Sequence, residues 1–173
     1  MDVLCTDLEG PSHKAIEKHK RYNISDRLKY KALNALDIPY SEEFDVVLFK
    51  SVLGGIGILN NRGNQAKAIN EIHKALKKGG ELWFAENLMA SPFHQFFRNR
   101  YVKWGNTWRY VTIQEMNEYL AMFSEVKYTT VGFLGSFGRT SLQRLFLGKI
   151  DRIIADKLVP KTWHYIIIGI ARK

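Results

Sequence analysis

Two hydrogen-bond acceptors stand just past the ends of predicted strands: Asp7 after Val3–Thr6, and Asn34 after Leu28–Leu33. A carboxylate at a strand tip can accept from both hydroxyls of a ribose. Lys50 and Ser51 follow a third predicted strand, Phe44–Phe49, and Asn87 follows a fourth, Glu81–Glu86. Between 91 and 111 lies a different pattern. Phe93, Phe96, Phe97, Tyr101 and Trp104 recur at helical spacing, with Arg98, Arg100 and Lys103 between them and Arg109 beyond. Aromatic rings with interleaved cations can grip a sugar, a lipid or a stacked base, or form the core face of an ordinary amphipathic helix. Phe97, Arg98, Tyr101, Trp104 and Arg109 are the candidate substrate contacts. His94 is the one imidazole in this segment, and so its one general base by residue type. No metal is expected.

The elements that must position these residues follow from periodicity. Ser12–Tyr22 reads as a helix with Pro11 at its start. Phe44–Phe49 ("FDVVLF") is almost wholly apolar, as a strand buried on both faces of a parallel sheet would be. Gly63–Leu76 reads as a helix closed by Lys77-Lys78-Gly79-Gly80. Helices are predicted over Thr112–Met122 and Ser141–Leu158, and strands over Val126–Val131 and His164–Ala171. Alternation of this kind implies an α/β fold with a mostly parallel sheet, and ligands in such sheets bind at the carboxyl ends of the strands. Residues 1–173 are expected to form a single domain, with 91–111 as a cap over the acceptor site.

The 173 residues suffice for one sizeable core. No apolar run approaches the ~18 residues of a membrane-spanning helix, and no signal peptide is evident. Cys5 is the only cysteine and is read as a small core residue, which fits a reducing, cytoplasmic setting. The net charge of +9 is unevenly placed. Residues 1–86 hold 13 Lys/Arg against 12 Asp/Glu, whereas 87–150 hold 8 against 3. Such a field favours an anionic partner: a phosphate-bearing substrate, nucleic acid or a lipid headgroup. The predicted helix at 141–158 carries a similar balance. It either covers a sheet face or rests on an anionic membrane.

Four stretches in order resemble the class I S-adenosylmethionine-dependent methyltransferases: "VLCTDLEGPSHKAIEKHK", "LNALDIPYSEEFDVVLFKSVLGG", "IHKALKKGGELWFAEN" and "WRYVTIQEMNEYLAMFSEVKYTTVG". Together they cover most of residues 3–131. The resemblance implies a three-layer fold with strand order 3-2-1-4-5-7-6 and an antiparallel last strand. It implies S-adenosylmethionine as cofactor, with Asp7 on the ribose, Leu8 against the adenine, Asn34 accepting from the adenine amino group and Ala35 offering its backbone. Lys50 and Ser51 would lie beside the methionine portion and the methyl group. The family's first strand and glycine-rich loop have no counterpart upstream, and "LGGIG" at 53–57 is a poor substitute. The sequence therefore reads as a truncated form that covers its exposed strand edges by homo-oligomerisation. The expected reaction is methyl transfer to a small-molecule, glycan or lipid-linked acceptor. A non-catalytic methyltransferase-like interaction protein and an RNA methyltransferase remain as alternatives.

Overall fold

The computed structural model describes residues 2–103 and 107–173. The chain divides into two compact units, Met1–Pro39 and Tyr40–Lys173.

The first unit is a β-α-β element. Strand β1 (Val3–Asp7) runs into a turn where Gly10, at φ +87°, donates its N–H to the Asp7 carbonyl at 3.0 Å. That left-handed conformation suits glycine. Helix α1 (His13–Arg21) begins under Ser12, whose hydroxyl accepts from the Ala15 N–H, and ends in Lys18, His19, Lys20 and Arg21, favourably placed for the helix dipole. Strand β2 (Leu28–Ala32) pairs parallel with β1, Asp7 opposite Ala32.

The second unit holds a four-stranded sheet. Its strands are β3 (Phe44–Lys50), β4 (Leu76–Asn87), β5 (Glu125–Val131) and β6 (Ile166–Arg172), in the order β3-β4-β6-β5. β3 and β4 are parallel, and β6 lies antiparallel to both β4 and β5. The sheet is thus mostly parallel with a reversed last strand, as the resemblance implied. β4 starts at Leu76, earlier than the glycine pair suggested. Leu76 adopts an extended ψ of 139°, and the chain passes straight from α3 (Arg62–Ala75) into the strand.

Pleating sorts the side chains. Leu82, Phe84 and Glu86 of β4 share a face with Ile167 and Ala171 of β6 and are all buried. Helices α3 and α5 (Ile113–Leu120) bury Ile69, Ile72, Met116 and Leu120. The opposite face, with Leu48, Trp83, Ile168 and Ile170, is exposed, Leu48 at 69%. Gly169 sits where any Cβ would lie 2.6 Å from Phe84 Cζ and 2.7 Å from the Lys127 carbonyl, so the central strand requires glycine there.

Two short helices lie in the connections: α2 (Leu53–Ile56) after β3, and α4 (Pro92–Tyr101) within the expected cap. The predicted helix at 141–158 is helical throughout, but not α-helical throughout. α6 (Ser141–Ile150) passes into a π-helical turn at Asp151–Ala155 before a last short turn, α7 (Asp156–Leu158). No helix among the described residues is long and apolar enough to cross a membrane.

Candidate active site

In the first unit the parallel register brings Asp7 and Asn34 to neighbouring strand tips. The Leu33 N–H donates to the Asp7 carbonyl at 2.9 Å, which sets Asn34 one residue further on. Asp7 Oδ1 accepts from the Leu8 N–H at 2.7 Å. Leu8 is well exposed beside it, and Ala35 is half-buried. Asn34 has local work: its Oδ1 accepts from the Leu36 N–H at 2.9 Å, closing an Asx turn. The oxygen expected to face an adenine amino group thus already holds the loop, with one lone pair left.

In the second unit Lys50 and Ser51 part company. Lys50, in register with Ala85, lies on the open sheet face. Ser51 adopts φ +54°, unusual for a residue with a Cβ. Its N–H bonds the Ala85 carbonyl at 2.8 Å, and its hydroxyl accepts from Asn87 Nδ2 at 2.9 Å. Behind it, Glu86 is 1% exposed. Its Oε2 accepts from the Val52 and Leu53 N–H groups, each at 2.8 Å, and its Oε1 from the Asn87 N–H at 2.8 Å. Burial pushes this carboxyl above its ordinary range, and the three backbone donors pull the other way. Glu86 anchors the start of α2 to the tip of β4.

Past these tips lies a cavity of about 850 Å³. Ser51 and Asn87 line it. Phe97, Arg98, Tyr101, Trp108, Tyr110 and Tyr165 stand around it with Phe137, Arg139 and Arg144, and among the described residues no Asp or Glu lines it. Arg98 packs its guanidinium 4.0 Å from the Tyr110 ring centre and donates to the Leu88 carbonyl at 2.7 Å. Burial holds the Arg98 guanidinium below its ordinary value and raises both the Tyr110 and Tyr165 hydroxyls. Tyr101 lies beside the Phe97 ring and 5.8 Å from the Arg139 guanidinium. The indole N–H of Trp108 is buried without a partner. A Cβ on Gly54 would fall 1.5 Å from that nitrogen, so Gly54 is a close-approach position that seats the indole.

Three of the expected site residues meet a different fate. His94 is 1% exposed and both ring nitrogens are occupied: Nδ1 faces Ser91 Oγ at 2.6 Å and Nε2 the Phe133 carbonyl at 2.9 Å. It is a packed histidine with both nitrogens occupied, and it also lines the cavity. Arg109 is committed to the scaffold, bonding Asn60 Oδ1 at 2.9 Å, Gln65 Oε1 at 2.6 Å and the Glu115 carboxylate. Trp104 lies outside the described residues. Sequence reasoning missed Glu86, Tyr110 and Tyr165, although each stands at or beside a strand end or an isolated bridge, where site residues gather.

Residues 12–127 match the model of a family described as a methyltransferase domain. Among solved structures, the MccD protein is 16% identical, with 99% of this chain and 79% of that chain covered at a TM-score of 0.58. The N-methyltransferase NodS from Bradyrhizobium japonicum WM9 is 15% identical, covering 99% and 73%, TM-score 0.57. The [4+2]-cyclase SpnF is 15% identical, covering 100% and 66%, TM-score 0.58. Likeness at this level shows the fold, which hosts more than one reaction. No curated protein sequence matches the chain.

Proposed function

The chain belongs to the methyltransferase domain family, and from that premise we propose that it uses S-adenosylmethionine, as the class I members do, to methylate a small or lipid-linked acceptor bearing an anionic group. The observation that carries the acceptor class is the cavity beyond Ser51 and Asn87, lined by Arg98, Arg139 and Arg144 and, among the described residues, by no acid. The buried Arg98 guanidinium is bonded to carbonyls and stacked on a ring, with no carboxylate partner among the described residues, and a carboxylate or phosphate supplies the compensation.

The first unit's strand tips fit the adenosine half of the cofactor. Asp7 offers its second carboxylate oxygen to the ribose hydroxyls, Leu8 an exposed apolar surface to the adenine, and Asn34 with Ala35 the remaining polar edge. In the second unit Ser51 is fixed by Asn87, with Lys50 beside it in sequence. S-adenosylmethionine, when bound, supplies a methyl group on a positively charged sulfur, open to displacement by an oxygen or nitrogen. The protein's own part is then chiefly alignment. Arg98, Arg139 and Arg144 hold the acceptor's anionic group, Phe97 and Tyr101 its apolar body. Tyr110 and Tyr165, kept protonated by burial, donate or accept one hydrogen bond each.

Calorimetric titration of the chain with S-adenosylmethionine and its demethylated product, beside NADH, tests the reading. Binding of the first two alone supports it. Asp7→Ala should weaken that binding by about tenfold or more, the loss of a hydrogen bond to a charged group. Absence of binding by any of the three overturns it in favour of a non-catalytic interaction protein.

A further inference from the structure

The segment from Thr140 to Leu158 turns a narrow stripe inward and a broad one outward. Leu147, Asp151 and Ala155 face in; Asp151 and Ala155 are buried and Leu147 is half-buried. The outward side carries Leu142 at 78% exposure, Leu145 at 60%, Phe146 at 64%, Ile153 at 67% and Leu158 at 80%. With Ile154, six large apolar side chains on one helical segment, all turned to water, form a patch that isolated surface residues do not explain.

The charges sort the same way. The two acids of the segment are occupied inward. Asp151 accepts from the Leu134 N–H at 2.7 Å and the Gly135 N–H at 2.8 Å, and Asp156 from the Gly132 N–H at 2.7 Å. Arg139, Arg144, Lys149, Arg152, Lys157 and Lys161 lie in and beside the apolar stripe, with no Glu anywhere between 139 and 161. The outward surface therefore combines large apolar side chains with cations and no outward-facing acid. That is the pattern of a helix lying in the headgroup layer of an anionic bilayer, apolar side chains among the acyl chains and cations on the phosphates.

We propose that α6 and the π-helical turn after it dock this protein on an anionic membrane surface. Arg139 and Arg144 belong both to this face and to the wall of the arginine-lined cavity. Docking therefore brings the mouth of that cavity to the lipid. The proposal rests on the α6 surface alone and stands or falls independently of cofactor binding.

Flotation of the full chain with phosphatidylcholine vesicles, with and without phosphatidylserine, provides the test. Partition onto the phosphatidylserine vesicles, weakening as salt rises, is the expected result. Leu145→Ser with Phe146→Ser, and separately Lys149→Glu with Arg152→Glu, should each reduce it about tenfold or more. These side chains are exposed, so the melting temperature of each variant should match the parent. No partition onto the phosphatidylserine vesicles overturns the proposal. So does a concentration-dependent dimer, seen by sedimentation, that Phe146→Ser dissolves, because a second copy then covers the face. RNA binding lost in the same variants would overturn it equally.

Discussion

A carboxylate buried without a cation, as Glu86 is among the described residues, is held by backbone N–H donors alone. Glu86→Ala should leave the Val52 and Leu53 donors buried and unpaired, a loss of roughly 2–4 kcal/mol by urea denaturation. Glu86→Gln, which keeps an acceptor, should lose less. His94 sets the pH response. Burial lowers its imidazole below the ordinary value, outweighing the Phe133 carbonyl, which favours the charged ring. A base whose folded value is depressed binds its proton more readily when unfolded. Its contribution to stability is therefore full above about pH 6.5 and declines as the pH falls toward the lowered folded value. His73, also lowered by burial, adds to the same slope. His94→Gln should flatten the decline in melting temperature below pH 6.5 while His73 leaves a remainder. Some of this was legible in the sequence: a histidine on an apolar helix is more often packed than reactive. Arg109 was less legible, because its main partner, Glu115, lies six residues on and across a helix start.

At the scale of elements, caps fix where helices begin. Thr112 and Glu115 form a reciprocal box at α5, and Glu115 also holds Arg109. Thr112→Ala should cost about 1 kcal/mol, read as a shifted urea midpoint. The apolar run "FDVVLF" and the periodicity of 63–76 made β3 and α3 readable, since burial on both faces, or on one helical stripe, leaves a direct mark on composition. The start of β4 was hidden because Lys77-Lys78-Gly79-Gly80 has the composition of a helix stop. In the structure the strand begins before them and bulges through them: Gly79, at φ +75°, donates to the Lys173 carbonyl at 3.1 Å, and the pairing with β3 jumps from Leu76 to Glu81. The π-helical turn after α6 was equally hidden: Asp151, its first residue, accepts from the Leu134 and Gly135 N–H groups, a contact no local pattern encodes.

In the second unit, the sheet has an exposed apolar face, and among its described strands β3 is an outer one. Surfaces of this kind pair with other chains unless charged or covered. Sedimentation should find self-association at micromolar protein, and Leu48→Lys with Ile168→Thr should reduce it without altering vesicle binding. The position of β6 has a consequence of another kind. It is the last of the four strands in sequence, yet it lies between β4 and β5. As the ribosome extrudes the chain, β4 and β5 emerge with nothing to join them, and each waits with bare amides until the final strand slides between them. Nascent chains stalled before residue 166 should accordingly be captured by chaperones and cut by proteases far more readily than chains released at full length.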